Sequence, residues 1–318
     1  MIFSHGGLTA TGGHPIHLYE DILRQSRYEP MLGHLDKGWF NNRGYFIIDT
    51  EADLLDKWNT IMAGKPDFLK TFLIGSELDD TKRDRGPVHT RKGLDPTLLH
   101  RIVALAHRDG PKVSTHVEKA GDFHHAVMAG VDEINHLPGW LVSTPHDAEN
   151  ARLSDDDARR AARRGVVVVT TTVSSHSMPG APGHPAHGHA GAESAADHSA
   201  SRSDLAVQAL AREIQIHNLR VLHRHGVAIV IGSDHAETSL AEVLNLHALN
   251  VFDNLTLLKM WCETTPRAIF PQRNIGLLQE GYEASFLVLG GNPLDRFEEV
   301  TRIKIRFKEG HPLSLSPY

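Results

Sequence analysis

The sequence contains very little cysteine. Cys262 is the only one in 318 residues, so neither an intrachain disulfide nor an all-cysteine zinc site can form. A formal net charge of -6 gives no basic excess, which argues against nucleic-acid binding. No window approaches the roughly 18 apolar residues of a membrane helix, and residues 1–13 lack the basic start and apolar centre of a secretory leader. A composition of 40% hydrophobic and 23% charged residues is typical of a globular protein with one large domain or two ordinary ones.

Histidine is the residue type in excess, with 23 copies. Part of this excess lies in a low-complexity stretch, 174–203, which is too poor in apolar residues to pack. We expect a mobile polar loop there. Metal binding by its histidines remains a second interpretation; they are His184, His187, His189 and His198.

A unit of helix, glycine and strand recurs four times. An amphipathic helix ends near a glycine, a β-branched run follows, and a polar residue closes the run; the glycines are Gly110, Gly130, Gly165 and Gly226. Helix starts are predicted at Asp95–Pro96 and at Ser154 with Asp157. Earlier runs at 1–9 and 67–75 are predicted to be further strands. Strands that alternate with single helices indicate a parallel sheet with right-handed crossovers.

Serial β/α units leave two architectures, an open doubly wound sheet or a closed (β/α)8 barrel. No G-x-G-x-x-G sequence follows the first strand and no phosphate loop is present, which disfavours the nucleotide-binding version. We therefore predict an α/β fold of the TIM-barrel type. In such a barrel the carboxyl ends of the strands meet at one mouth, where catalytic residues lie.

Four residues that could bind or serve a metal stand at these predicted strand ends: Lys70, His116, His136 and Asp234. Singly, each has an ordinary structural explanation, such as a hydrogen-bonded histidine, a helix-capping aspartate or a lysine reaching solvent. Together they suit a divalent metal. A buried lysine that loses its proton could add carbon dioxide and become an anionic carbamate ligand. Asp234 could then take a proton from metal-activated water and pass it to a leaving group.

Several segments, in this order, resemble motifs of the amidohydrolase superfamily, nearest to its imidazolonepropionase-like and Xaa-Pro-dipeptidase-like branch. "PDFLK", "VSTH", "EINHLPG" and "IVIGSDH" resemble the ends of strands 4, 5, 6 and 8, and "LTATGGHP" resembles the loop after strand 3. The stretch from "TTPRAIF" to "GGNPL" is similar to the return into a small β-sandwich. The resemblance implies a metal-dependent-hydrolase barrel over 1–275 and a C-terminal β segment of a composite sandwich over 276–318.

The resemblance also has gaps. No strand carries the family's His-x-His motif, so the chain is expected to begin at the third strand of the family's barrel. Six of the eight barrel strands are then expected, and the exposed edges would be the third and the eighth strand in the family's numbering. "EASF" at 283–286 replaces the family's usual Asp-Ala-Asp. The implied ligands of the second metal are all present: Lys70, His116 and His136. The first metal would keep only Lys70 and Asp234. One divalent ion is therefore expected, most naturally zinc; Lys70 could be carboxylated, which the sequence does not decide, and His14 and His235 are candidates for substrate binding.

Three functions follow as hypotheses. The first is a metal-dependent hydrolase of an amide, cyclic amide or dipeptide-like carbon–nitrogen bond, with Asp234 as general acid and base. The second is a truncated, inactive scaffold of that family, and the third is a histidine-rich metal-binding protein that uses residues 174–203. The expected partners are a small-molecule or dipeptide-like substrate and further copies of the chain, with no nucleic acid and no membrane. The compartment is cytoplasmic by default, and periplasmic or secreted if a leader preceded Met1.

Overall fold

The largest unit of the fold is a seven-stranded, all-parallel β-sheet. The computed structural model describes residues 2–22, 29–76, 93–139, 145–175, 202–234 and 239–314. The sheet has the spatial order β2-β1-β3-β4-β5-β6-β7. Its strands are β1 (Gly7–Thr9), β2 (Tyr45–Ile47), β3 (Phe68–Phe72), β4 (Lys112–His116), β5 (Glu133–Asn135), β6 (Val167–Val169) and β7 (Ala228–Val230).

Helices connect most of these strands. They are α1 (Glu29–Leu32), α2 (Glu51–Ala63), α3 (Pro96–Asp109), α4 (Ala120–Ala129), α5 (Pro145–Ala151), α6 (Asp155–Arg164), α7 (Arg202–Arg224), α8 (Ser239–Ala248), α9 (Asn254–Lys259) and α10 (Thr265–Ile269). Single π-helical turns span Leu18–Ile22 and Met260–Thr264, and 3₁₀ turns span Thr172–Ser175 and Phe297–Thr301.

The predicted helix ends are confirmed by local geometry. At the start of α3, the Asp95 side chain accepts a hydrogen bond from Thr97 N. Pro96, the first residue of this helix, has no N–H and so needs no acceptor there. Gly130 and Gly165 close α4 and α6 in the left-handed conformation, which a glycine adopts without steric cost.

The sheet has one apolar and one polar face, because strand side chains alternate between the two sides. One face packs into the main core beneath the helices through five fully or almost fully buried residues: Leu69, Val113, Ile134, Val168 and Ile229. The opposite face corresponds to the inside of a barrel. In β3, β4 and β5 it carries Lys70, Ser114, His116, Glu133 and Asn135. The chemically active residues therefore lie on the side away from the helices.

The predicted α/β barrel-type fold is confirmed, but the strand count of six is wrong by one. An additional short strand, β2, pairs in parallel with β1. The edges of the sheet are therefore β2 and β7, whereas β1 and β7 were expected. Across the described residues β2 and β7 do not pair with each other, so the barrel is not closed.

A separate antiparallel sheet follows α10. It contains β8 (Phe286–Leu289), β9 (Ile303–Lys308) and β10 (His311–Leu313), in the order β10-β9-β8. It lies within the predicted C-terminal segment 276–318, and the boundary at 275 stays a prediction. Two sets of predicted residues lie outside the described ones: His235, and the histidines of 174–203, of which 176–201 are not described. No described helix is both long and apolar enough to cross a membrane.

Candidate active site at the carboxyl ends of the parallel strands

Strand register places two of the predicted residues on the barrel-side face of the sheet. Lys70 on β3 is paired with Ser114 on β4, and Ser114 is paired with Glu133 on β5. One layer closer to the mouth, His116 is paired with Phe72 on one side and Asn135 on the other. His136 follows directly after β5, so all three predicted ligands come from neighbouring strands. Lys70 is the central residue of β3, however, so the prediction that it ends its strand is wrong.

Three histidines form a cluster at this end of the sheet. The ring centroids of His116 and His136 are 4.4 Å apart, in an edge-on arrangement. On the other side, the ring of His14 stacks on His116 at 4.9 Å. Phe72 contacts both His14 and His116, with centroids 5.1 Å and 5.6 Å away, and provides an apolar wall. His116 and His136 are only 3% and 4% exposed.

Burial keeps this cluster uncharged. Desolvation lowers the pKa of His116 and of His136 well below the usual value, and the positive charge of Lys70 lowers both further. The pKa of His14 falls to about 4 for the same two reasons. Burial also lowers the pKa of Lys70 to about 8, against the attraction of Glu133 and Asp234. The site thus offers neutral imidazoles and a lysine that gives up its proton readily.

A polar network supports Lys70 from below. Lys70 Nζ donates a hydrogen bond to Asn135 Oδ1. Asn135 Nδ2 donates in turn to Glu133 Oε1 at 3.0 Å, and Ser114 Oγ lies 2.8 Å from the same carboxylate oxygen. Because a carboxylate only accepts, Glu133 directs the amide nitrogen of Asn135 toward itself and the amide oxygen toward Lys70.

Asp234 stands beyond the end of β7 and is exposed. Its electrostatic attraction to Lys70 shows that the two lie at the same end of the sheet. Asp234 has a φ of 57°, His136 has 71°, and Thr171, beyond the end of β6, has 47°. These are positive values that residues other than glycine seldom adopt. Three consecutive parallel strands therefore end in unusual backbone at the mouth.

The loop after β6 contacts the histidine cluster. Thr171 Oγ1 lies 2.7 Å from Nδ1 of His136, and Thr171 is almost fully buried. The next residues are held by Glu242 of α8, whose side chain is fully buried. Burial raises the pKa of this carboxyl, against hydrogen bonds from Thr172 and Val173.

The side chains at this site suit a divalent metal ion only if Lys70 is chemically modified. Among the described residues, no three His, Cys, Asp or Glu side chains form a group that could hold a metal ion. The side chains that do meet are His116, His136 and Lys70. Neutral imidazoles are good ligands for zinc, but an amine is not a usual ligand. The set therefore fits a metal if Lys70 contributes an anionic oxygen, as a carbamate would.

The fold brings to one mouth the four metal-site residues that the sequence predicted, and also His14. Sequence reasoning missed Glu133, Asn135, Thr171 and Glu242. Asn135 and Glu133 could have been found, because alternation along "EINH" points both to the same face. Glu242 gave no local signal, since its partners lie about 70 residues earlier in the chain.

The model of the amidohydrolase family matches residues 81–313. This range includes His116, His136 and Asp234; His14 and Lys70 precede it. No curated protein sequence matches the chain.

Solved structures resemble the whole described fold. The structure of A. niger ochratoxinase aligns with a TM-score of 0.61 at 20% identity, covering 97% of this chain and 64% of that one. A prolidase complexed with N-methylphosphonate-L-proline gives 0.62 at 18%, covering 97% and 67%. A Xaa-Pro dipeptidase with bound methionine in its active site gives 0.61 at 15%, covering 98% and 68%. At these identities the likeness shows the fold, and the chain spans about two thirds of each relative's length.

Proposed function

Because the chain belongs to the amidohydrolase family, whose members hydrolyse carbon–nitrogen bonds, we propose that it cleaves the amide bond of a dipeptide-like substrate with the help of one divalent metal ion. The proposed ligands are Lys70, His116 and His136. The observation that carries the proposal is that these side chains lie on one side of adjacent strands, Lys70 within β3 and the two histidines at the carboxyl ends of β4 and β5, with both imidazoles buried and neutral.

The proposed ligands have complementary roles. His116 and His136 would each give a ring lone pair, which their lowered pKa values keep available at neutral pH. The unprotonated amine of Lys70 would add to carbon dioxide and release one proton to solvent, which gives an anionic carbamate oxygen, and its pKa of about 8 favours the unprotonated form. When bound, a divalent ion would supply Lewis-acid activation of both water and the substrate carbonyl.

Asp234 would move the proton. It is exposed at the mouth, so its carboxylate can reach substrate and water alike. It would accept a proton from the attacking water and donate it to the leaving nitrogen, which converts an amide anion into a neutral amine. His14 is proposed to contact substrate, since its ring stacks on that of His116 beside the proposed ligands.

Among the possible amide substrates, the related structures favour a dipeptide-like one. Two of the structures described above are a prolidase and a Xaa-Pro dipeptidase. The apolar wall formed by Phe72 next to His14 suits a ring or aliphatic side chain beside the scissile bond. Inactivity through an incomplete site is the competing hypothesis, and the open barrel is the observation that favours it.

The test measures metal content and turnover on the same samples. Purified protein is loaded with zinc or manganese and bicarbonate, freed of excess metal, analysed by plasma mass spectrometry, and assayed with a panel of Xaa-Pro dipeptides. We expect about one tightly held ion per chain and hydrolysis. His116→Ala should lose both, whereas Asp234→Asn should keep the metal and lose a factor of about 10² to 10⁴ in kcat.

Two controls identify where the metal binds. His100→Ala removes an exposed histidine of α3 and should retain metal and activity. Replacement of His184, His187, His189 and His198 by asparagine should also retain the tight ion. Metal lost with this second set and retained in His116→Ala would favour the histidine-rich metal-binding protein. Metal without turnover on any amide would favour the inactive scaffold.

A further inference from the structure

The turn after β6 is anchored by a residue from a distant helix. Both carboxylate oxygens of Glu242 accept hydrogen bonds from this turn: Oε1 from Thr172 N at 2.8 Å and from Thr172 Oγ1 at 2.8 Å, and Oε2 from Val173 N at 2.7 Å. Glu242 is fully buried, as is nearly all of Thr172. A buried carboxylate with three donors is a strong anchor, because no water competes for its oxygens.

The same turn is fixed to both neighbouring strands. Thr171 N donates to Gly232 O at 2.9 Å, two residues before Asp234, and Leu137 N donates to Thr170 O at 3.2 Å, directly after His136. Asn245, also on α8, donates from Nδ2 to Thr172 Oγ1 at 2.9 Å. Hydrogen bonds to the segments after β5 and β7 and to α8 therefore hold the turn. Within the turn, Thr171 is the residue that contacts the histidine cluster.

Thr171 is held in a conformation that it would not choose alone. Its φ of 47° is unusual for a β-branched residue and persists only where surrounding contacts over-determine the backbone. This conformation places Oγ1 2.7 Å from His136 Nδ1. A hydroxyl at that nitrogen fixes the rotation of the ring and, when Nδ1 carries the proton, leaves the Nε2 lone pair for a ligand.

We propose that Glu242 and Thr171 form a positioning device for His136, in which the Glu242 carboxylate locks the turn after β6 so that the Thr171 hydroxyl holds the His136 ring with Nε2 available for metal. The inference rests on the proposed function, since it takes His136 as a ligand. Neither Glu242 nor Thr171 touches the metal or the substrate; both act through His136.

The experiment uses variants of nearly unchanged volume. Thr171→Val removes only the hydroxyl and keeps the β-branched shape, while Thr171→Ser keeps the hydroxyl and serves as the rescue. Glu242→Gln replaces one acceptor oxygen by an NH₂ group, which faces a donor of the turn whichever way the amide is turned. Glu299→Gln is the matched control, because Glu299 is also almost fully buried but is bonded to Arg302 in the C-terminal region.

Cobalt(II) affinity is measured by competition with a chromophoric chelator. Thr171→Val and Glu242→Gln should weaken binding about 10- to 100-fold, whereas Thr171→Ser and Glu299→Gln should stay within about 3-fold of the unmodified protein. Thermal melting of all four variants shows which of them lose stability. A loss of stability alone, equal in Glu242→Gln and Glu299→Gln, with unchanged cobalt affinity would overturn the proposal.

A second readout does not depend on metal. In protein with ¹⁵N-labelled histidine, the ring nitrogens of His136 should show one tautomer, with the proton on Nδ1, and Thr171→Val should give a mixture. The variant His136→Ala distinguishes a failure of the proposed function from a failure of the positioning device. If it binds cobalt as well as the unmodified protein, the proposed function fails, and the tautomer measurement still tests the positioning device. If it loses cobalt and Thr171→Val does not, only the positioning device fails.

Discussion

At the scale of single residues, three of the eight described non-glycine residues with a positive φ lie where the chemistry is proposed. His136, Thr171 and Asp234 each follow a parallel strand with a positive φ, and each such residue costs about 1–3 kcal/mol. A folding chain selected for stability alone would place glycine or asparagine at these positions. The strain is offset by the fixed turn after β6 and by the core beneath the sheet. This strain recurs at three neighbouring strand ends, which supports the proposal that the mouth is the functional end of the fold.

The neutral state of His14 has a consequence for stability. Burial lowers its pKa to about 4 in the folded protein, while the unfolded chain keeps a value near 6.5. Between these values the unfolded state binds more protons, so acid favours unfolding, and the stability present above pH 6.5 declines as the pH falls to 4. In the metal-free protein, His14→Gln should reduce the loss of unfolding free energy between pH 7 and pH 4 by about 3 kcal/mol at most.

Urea titrations at a series of pH values, with a chelator present, measure this difference. His100→Gln provides the comparison, since it removes an exposed histidine outside the cluster. A residual slope is expected in His14→Gln, because His116 and His136 are also buried in the neutral form. Parallel profiles for His14→Gln and the unmodified protein would show that His14 is not desolvated as described.

The sequence predicted the residues that end a strand and could not predict those that orient them. His116 and His136 are readable because an apolar run predicts each strand and its end, whereas Lys70 interrupts an apolar run and lies within β3. Glu242 lies in "SLAEV", which reads only as part of a helix. Its role depends on tertiary packing of α8 against the turn after β6, and no local pattern records a contact across about 70 residues.

At the scale of helices and strands, local chemistry determines where elements begin. Ser154 precedes three acidic residues of α6, and its Oγ accepts from Asp157 N at 3.1 Å, as the sequence predicted. Ser154→Ala should lower the unfolding free energy by about 1 kcal/mol, because a helix N–H loses its acceptor, whereas Ser154→Thr should retain most of it. Urea unfolding at pH 7 measures both. Equal stability of the two variants would mean that the Asp157 N–H is satisfied without the cap.

Element pairing was harder to predict than element existence. The strand β2 consists of three residues, Tyr45–Ile47, and its short apolar run gave no decisive signal. Its identity as a strand comes from long-range pairing with β1, in which Gly7, Leu8 and Thr9 align with its three residues. Short parallel strands are stabilised by neighbours and crossovers, so one sequence window cannot reveal them. The unexpected seventh strand has this cause.

At the scale of the whole molecule, the C-terminal sheet leaves a surface that other chains can use. The edge strand β2 of the parallel sheet is, by contrast, covered in part, because Tyr45 N donates to Phe40 O at 3.2 Å and Lys57 Nζ donates to Ile47 O at 2.6 Å. Opposite a face that carries both Leu287 and Arg306, the C-terminal sheet has an apolar face that crosses its three strands. Its members are Phe286, Val288, Ile305, Phe307 and Pro312. Val288 and Ile305 are 38% and 42% exposed, which is unusual for neighbouring apolar residues of a sheet.

We therefore expect the chain to self-associate through this apolar face of the C-terminal sheet. Sedimentation velocity over a hundredfold range of concentration should show a species larger than the 35.1 kDa chain. Ile305→Ser should shift the equilibrium to the single chain, because it places a hydroxyl in the centre of the face. Lys304→Ser introduces the same residue one position earlier, on the opposite face, and should leave association unchanged. A single-chain species at every concentration would contradict self-association, and equal dissociation by both variants would place the contact elsewhere.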